Sequence, residues 1–341
     1  MKRKAIVCGL ESNKKPRISR ISTALGPILR FALYRAIRLH LSPFLHADVI
    51  PIVQAYASIM TFSYLRVVPL VDSKNEGKGK LDHPSSICLH EDEIYVADTN
   101  NHQIQVFHQS TGRFVRKVQG NLIHPIGIAI HGALRRVFVS DRATDQIKVY
   151  RLDDWGLLSV WDATAAAVPF FYPFGITICE NQVLVVDCQN HRIAIFSPDG
   201  KLIRSFGSLA NFYSPAKLAK DPFGHELFVA DGENHRIQCF DMNTFAFLRQ
   251  YGSGVKGRRQ GQLNHPYACA LHGDELIVCD TFNDRLVVFD RFEASVQRMC
   301  ESYTSDDFHL STFRTVCDVQ INDRNELFAC NYGNDRILVF N

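Results

Sequence analysis

Six times between residue 96 and residue 341 the chain repeats one pattern: an apolar pair, Asp, two spacers, Asn, a spacer, Arg or Gln, Ile or Leu, and an aromatic three further on. It reads VADTNNHQIQVF at 96–107, VSDRATDQIKVY at 139–150 and VVDCQNHRIAIF at 185–196. It returns as VADGENHRIQCF at 229–240, VCDTFNDRLVVF at 278–289 and ACNYGNDRILVF at 329–340. Successive copies are 43, 46, 44, 49 and 51 residues apart. Each unit holds four short β-type runs, in the third unit 173–179, 182–186, 192–196 and 202–206. Nothing between them is long or periodic enough for a helix. Four strands per repeat of this length predict an all-β six-bladed β-propeller of four-stranded blades.

The turn chemistry explains why these residue types recur. Asp98, Asp141, Asp187, Asp231 and Asp280 end the second strand of their units, with Asn331 in the sixth. Each is expected to accept hydrogen bonds from the N–H groups of its own turn. Asn101, Asn190, Asn234, Asn283 and Asn334 are expected to take the left-handed conformation that a tight turn needs. Arg192, Arg236, Arg285 and Arg336 open the third strand, where they can pair with the acid. The second copy has Thr144 in place of Asn, so it and the sixth are degenerate.

These residues resemble the NHL repeat, whose Asn-His-Leu type triplet stands here as Asn190-His191-Arg192 and Asn234-His235-Arg236. The first strands fit too: HPSSICL from His83, HPIGIAI from His124, YPFGITI from Tyr172 and HPYACAL from His265. Gly127 and Gly175 suit a crowded inner strand. The resemblance covers about four fifths of the chain and implies the propeller fold; it says little about function.

The sixth copy ends directly after its third strand, and the missing fourth can be located upstream. Residues 61–84 parallel 244–266, with Thr-Phe-x-aromatic-Leu-Arg, a loop rich in Gly and basic residues, then Leu-x-His-Pro. Leu65 and Leu248 are matched, so residues 64–70 are expected to complete the last blade and leave no sheet open. Residues 61–341 are then one propeller domain, preceded by a basic extension, 1–60.

Charge divides the same way. Residues 1–60 carry ten Lys or Arg against two acids, a net of +8, whereas the rest carry 28 basic and 33 acidic residues, a net of −5. A mildly acidic domain is not built for non-specific attraction to nucleic acid. Residues 19–41 read as a basic amphipathic helix, consistent with an organelle transit sequence, a helix on an anionic membrane surface, or a structurally idle extension. Four of the ten cysteines, Cys88, Cys179, Cys269 and Cys317, fall in first strands, and three, Cys188, Cys279 and Cys330, lie near the Asp turn. There they act as small hydrophobes, which points to reduced thiols and an intracellular location.

The peptide-amidating lyases resemble this repeat style and hold a catalytic metal with histidines in the central channel. By that resemblance His83, His124 and His265, each before the proline that opens a first strand, are the candidate metal ligands. Ser85, Ile126, Phe174, Ala216 and Tyr267, just after that position, are where inward ligands could sit, and they include no histidine. No cofactor is expected on this reading, and the turn residues are scaffold. On the loop face, Lys78, Lys80, Arg142, Lys217, Lys256, Arg258 and Arg259 are candidate binding residues, similar to the way some NHL propellers of tripartite-motif proteins hold RNA. No aromatic residue interleaves with these charges along the chain, which counts against stacked bases. The expected function is a non-enzymatic, monomeric interaction scaffold presenting one loop face to a protein partner, with RNA or a ubiquitin-ligase assembly as other partners. No RING or B-box pattern is seen, so a ligase would have to come from another chain. The alternative is a metal-dependent propeller enzyme, amidating-lyase-like or a calcium-dependent hydrolase, with its site in the channel.

Overall fold

In the computed structural model, the described residues are the backbone of 64–68 together with residues 79–162, 169–300 and 313–341. The expected helix at 19–41, the rest of the basic extension, and Lys78 lie outside them. Six four-stranded antiparallel sheets form the blades, and each sheet follows chain order outward from its inner strand, except at the closure. The inner strands are Pro84–His90, Pro125–His131, Pro173–Cys179, Pro215–Lys220, Pro266–His272 and Val316–Ile321, and we number the blades 1 to 6 in that order. Each inner strand packs beside the next, and blade 6 returns to blade 1.

Closure follows the register read from the repeat. Tyr64–Val68 is the outer strand of blade 6 and pairs antiparallel with Arg336–Phe340, Tyr64 opposite Phe340 and Val68 opposite Ile337. Pairing the two ends of the propeller in one sheet removes what would otherwise be an open edge.

The core lies between the blades. In blade 3, Ile193 and Ile195 pack toward blade 4, while Ala194 and Phe196 pack toward blade 2. Both faces of this third strand are buried, so it reads as a continuous apolar run rather than an alternating one. Each apolar cluster of the described residues likewise straddles one seam, as where Phe107 of blade 1 meets Phe328 of blade 6. Near the axis the strands approach too closely for side chains: a Cβ on Gly127 would stand 2.3 Å from the Phe174 carbonyl oxygen. The nine cysteines of the described residues are all unbonded.

Candidate interaction face

The repeat's aspartate does a different job from the one its turn position suggests. Asp98, Asp187, Asp231 and Asp280 accept no capping hydrogen bond from the backbone N–H groups of the short 3-10 turn that follows them. Instead, one carboxylate oxygen accepts the N–H of the loop arriving from the preceding blade. Asp280 Oδ1 takes Asn264 N at 2.6 Å, and Asp231 Oδ1 takes Tyr213 N at 2.8 Å. In blade 6 the amide oxygen of Asn331 does the same for Arg314 N at 2.7 Å, so the Asn copy keeps the clamp. The second carboxylate oxygen collects side-chain donors. Asp280 Oδ2 receives Asn283 at 2.8 Å and Arg285 Nε at 2.7 Å; both charged groups are buried. In blade 2, which lacks the Asn, Lys148 Nζ reaches Asp141 Oδ2 at 2.7 Å. Arg192 and Arg236 pair with Asp187 and Asp231 as expected. The Arg336 Nε donates to the Asn334 carbonyl.

The left-handed residue is also one place later than expected. It is not the repeat's Asn but the next residue: His102, Asp145, His191, His235, Asp284 and Asp335, with φ between 52° and 56°. The reason is that the Asn is the last residue of the 3-10 turn and uses its side chain on the clamp. At five seams the left-handed residue reaches the next blade. Asp145, Asp284 and Asp335 accept Tyr172 N, Thr315 N and His83 N at 2.8, 2.6 and 2.7 Å. His191 and His235 accept Ser214 N and His265 N through Nδ1 at 3.2 and 3.3 Å. His102 differs, bonding the Ile123 carbonyl. These clasps and the clamp put the 3-10 turns and the inter-blade loops on one face, the turn face.

The axis beneath that face is filled. Lys217 Nζ of blade 4 lies 2.7 Å from Asp318 Oδ2 of blade 6 and donates to the Ser85 carbonyl of blade 1 at 2.6 Å. The same Asp318 oxygen accepts Ser86 Oγ and Ile87 N, each at 2.9 Å, which ties blades 6 and 1 together. Above this pair the rings of Phe174 and Tyr267, from blades 3 and 5, meet edge to face at 5.9 Å. The equivalent residue of the blade between them is the small, buried Ala216.

Several expected site residues are therefore placed elsewhere. Lys217 is not on the loop face; it is 5% exposed on an inner strand, because its chain reaches an acid across the axis. Lys80, Arg142 and the Lys256–Arg259 loop stand at separate seams rather than in one patch. Of that loop, Lys256, Arg258 and Arg259 are exposed, and Arg258 donates to the Asn283 carbonyl. His83, His124 and His265 are not gathered round a metal. His83 sits between Asp82 and Asp335 at the 6/1 seam, and His265 Nε2 bonds Glu233 at 2.9 Å at the 4/5 seam. His124 lies in the loop between blades 1 and 2, where burial and then Arg142 hold its pKa below the usual value. Among the described residues, the one His, Cys or acid grouping compact enough for a cation is Asp82, His83 and Asp335, within 4.8 Å. Its oxygens already accept Asn100 and the His83 N–H, and it contains one histidine of the three. The candidate ligands do not fit a channel metal.

What the chain order concealed is an aromatic surface. Ile123, Phe171, Tyr172, Tyr213 and Phe282 stand exposed on the turn face. Four of them occupy the loop positions just before a first strand, and Phe282 is in a 3-10 turn. Arg142 lies over the Tyr172 ring at 4.8 Å, so an aromatic does accompany that charge, contrary to expectation. His191 packs on Tyr213 at 5.5 Å and His265 on Phe282 at 4.6 Å.

The family model for the NHL repeat matches residues 81–107, which hold the first three strands of blade 1. Five further blades repeat the same clamp. The chain is an NHL-repeat propeller. Its sequence is similar to the protein brain tumor of Drosophila melanogaster, 30% identical over 140 residues, covering 38% of this chain and 13% of the relative. It is also similar to peptidylglycine alpha-amidating monooxygenase of Rattus norvegicus, 32% identical over 189 residues, covering 50% of this chain and 18% of the relative. This chain thus spans less than a fifth of the length of either relative. One of the two is named for an enzymatic activity and the other is not. The streptogramin B lyase structure superposes with a TM-score of 0.57 at 12% identity, over 82% of this chain and 97% of the other, a likeness of fold alone. Among the described residues no helix is long and apolar enough to cross a membrane.

Proposed function

We propose that this NHL-repeat propeller is a non-enzymatic interaction module that receives a protein partner on its turn face. The observation that carries this reading is the contrast between the axis and that face. The axis is occupied by the Phe174–Tyr267 contact and the Lys217–Asp318 pair, and among the described residues no His, Cys or acid grouping compact enough for a metal lies there. The turn face carries Phe171, Tyr213 and Phe282 at 53%, 47% and 50% exposure, held by a rigid frame of clamps and clasps. Rigid aromatic anchors bind with little loss of side-chain freedom.

The test is affinity capture from an extract of the source cells, with three baits. They are the natural chain, the turn-face variant Phe171→Ala/Tyr213→Ala/Phe282→Ala, and Phe223→Ala/Phe292→Ala, which removes exposed rings from the opposite face. A stoichiometric partner kept by the first and third baits and weakened at least about 10-fold by the second is expected. A partner that binds the turn-face variant as well as the natural chain would refute the proposal.

A further inference from the structure

The seams on either side of blade 4 differ from the acid-clasped ones in what they leave over. At His191 and His235 the clasp uses Nδ1 as the acceptor of a backbone N–H. A neutral imidazole that accepts at one nitrogen carries its proton on the other. Each ring therefore presents an Nε2–H, and neither Nε2 has a hydrogen-bond partner among the described residues. Both side chains are half-buried, so these donors are fixed in place by the seam yet still reachable.

A neighbouring basic group has the same sense. Lys256 is exposed and close enough to His235 to act on it electrostatically. It has no ion pair among the described residues. Glu233, the acid of this stretch, is already bound to His265 at 2.9 Å. Tyr213, packed on His191, is 47% exposed. Over blade 4 the surface thus offers donors and the Lys256 charge beside an exposed ring, with its own acid engaged by His265.

We propose that this stretch recognises an acidic peptide segment, carboxylates taken by His191, His235 and Lys256 and an adjoining apolar side chain laid against Tyr213. The inference rests on the turn face being the interaction surface. Nucleic acid is less well matched. Stacking needs open ring faces, whereas Tyr172, Tyr213 and Phe282 each already pack against Arg142, His191 or His265.

The experiment is selection of a random displayed-peptide library on the full chain, followed by anisotropy titration of the enriched peptides. Enriched sequences are expected to combine Asp or Glu with one large apolar residue. Their affinity should fall about 10-fold or more with Lys256→Glu and with the pair His191→Asn/His235→Asn, and should weaken as salt is raised. The Asn variants keep an acceptor for the clasp and tolerate the left-handed backbone, while their amide donors sit nearer the main chain than the ring Nε2, so they separate withdrawal of the outward donor from misfolding. Failure to enrich acidic peptides, equal binding by these variants, or tighter binding of a uridine 12-mer would each overturn the inference. If non-acidic peptides are enriched and still require Tyr213, the turn-face reading stands and only the acidic partner falls. If binding ignores Tyr213→Ala and is lost in Phe223→Ala/Phe292→Ala, both fall.

Discussion

Lys217 of blade 4 and Asp318 of blade 6 meet across the propeller axis at 2.7 Å, with side chains 6% and 7% exposed. Breaking a buried pair from one side strands the other charge, whereas replacing both partners is often close to neutral. Asp318→Ala should therefore lower unfolding free energy by about 3–5 kcal/mol, since it also abandons the N–H of Ile87 and the hydroxyl of Ser86. The double variant Lys217→Met/Asp318→Asn keeps an acceptor and removes the stranded charge. Urea titrations should place it much nearer the natural chain than Asp318→Ala.

The clamp gives a second expectation. Asp280 is fully buried, and its Arg285 partner is 1% exposed. Asp280→Ala leaves that guanidinium without its carboxylate and frees the N–H of Asn264. A loss of about 3–5 kcal/mol is expected, measured by denaturant midpoint. A surface exchange such as Lys256→Ala should stay within about 0.5 kcal/mol. A small effect at Asp280 would mean that the repeat's most regular residue is not what joins loop to turn.

Much of this was legible from the residues. The period gave blade number, and the parallel between 61–84 and 244–266 located the closing strand. The clamp was half legible: Asp with Arg could be read as a pair because they lie five residues apart. In blade 5 the loop N–H it also binds lies 16 residues upstream, in the loop arriving from blade 4, and no local pattern marks it. The sequence map misplaced Lys217 because its acid is in another blade, about a hundred residues on. It also missed the company of Arg142 and Tyr172, whose side chains meet only once two blades are side by side. Apart from the left-handed residue, which lies one place after the Asn, what stayed hidden was a contact across a seam, across the axis or to a distant loop.

Protonation supplies a third test. Burial first, then His265 and Lys256, hold the His235 pKa below its usual value. The unfolded chain then takes up the proton more readily than the folded one. Stability from this group is complete above about pH 6.5, the ordinary imidazole value, and is lost as pH falls from there through the lower folded value. Nδ1 protonation would also end its role as acceptor for His265 N. His235→Asn should be less acid-sensitive than the natural chain in thermal melts between about pH 5 and 7. An identical pH profile would contradict the clasp.

The claim that one face of the ring does the binding is tested most directly by photocrosslinking. A benzophenone side chain is placed at position 171, 213 or 282 on the turn face, or at 223 or 292 on the opposite face, and the chain is irradiated in an extract of the source cells. A discrete protein adduct is expected from the first three positions and none from the other two. Adducts formed from 223 or 292, with none from 171, 213 or 282, would contradict it.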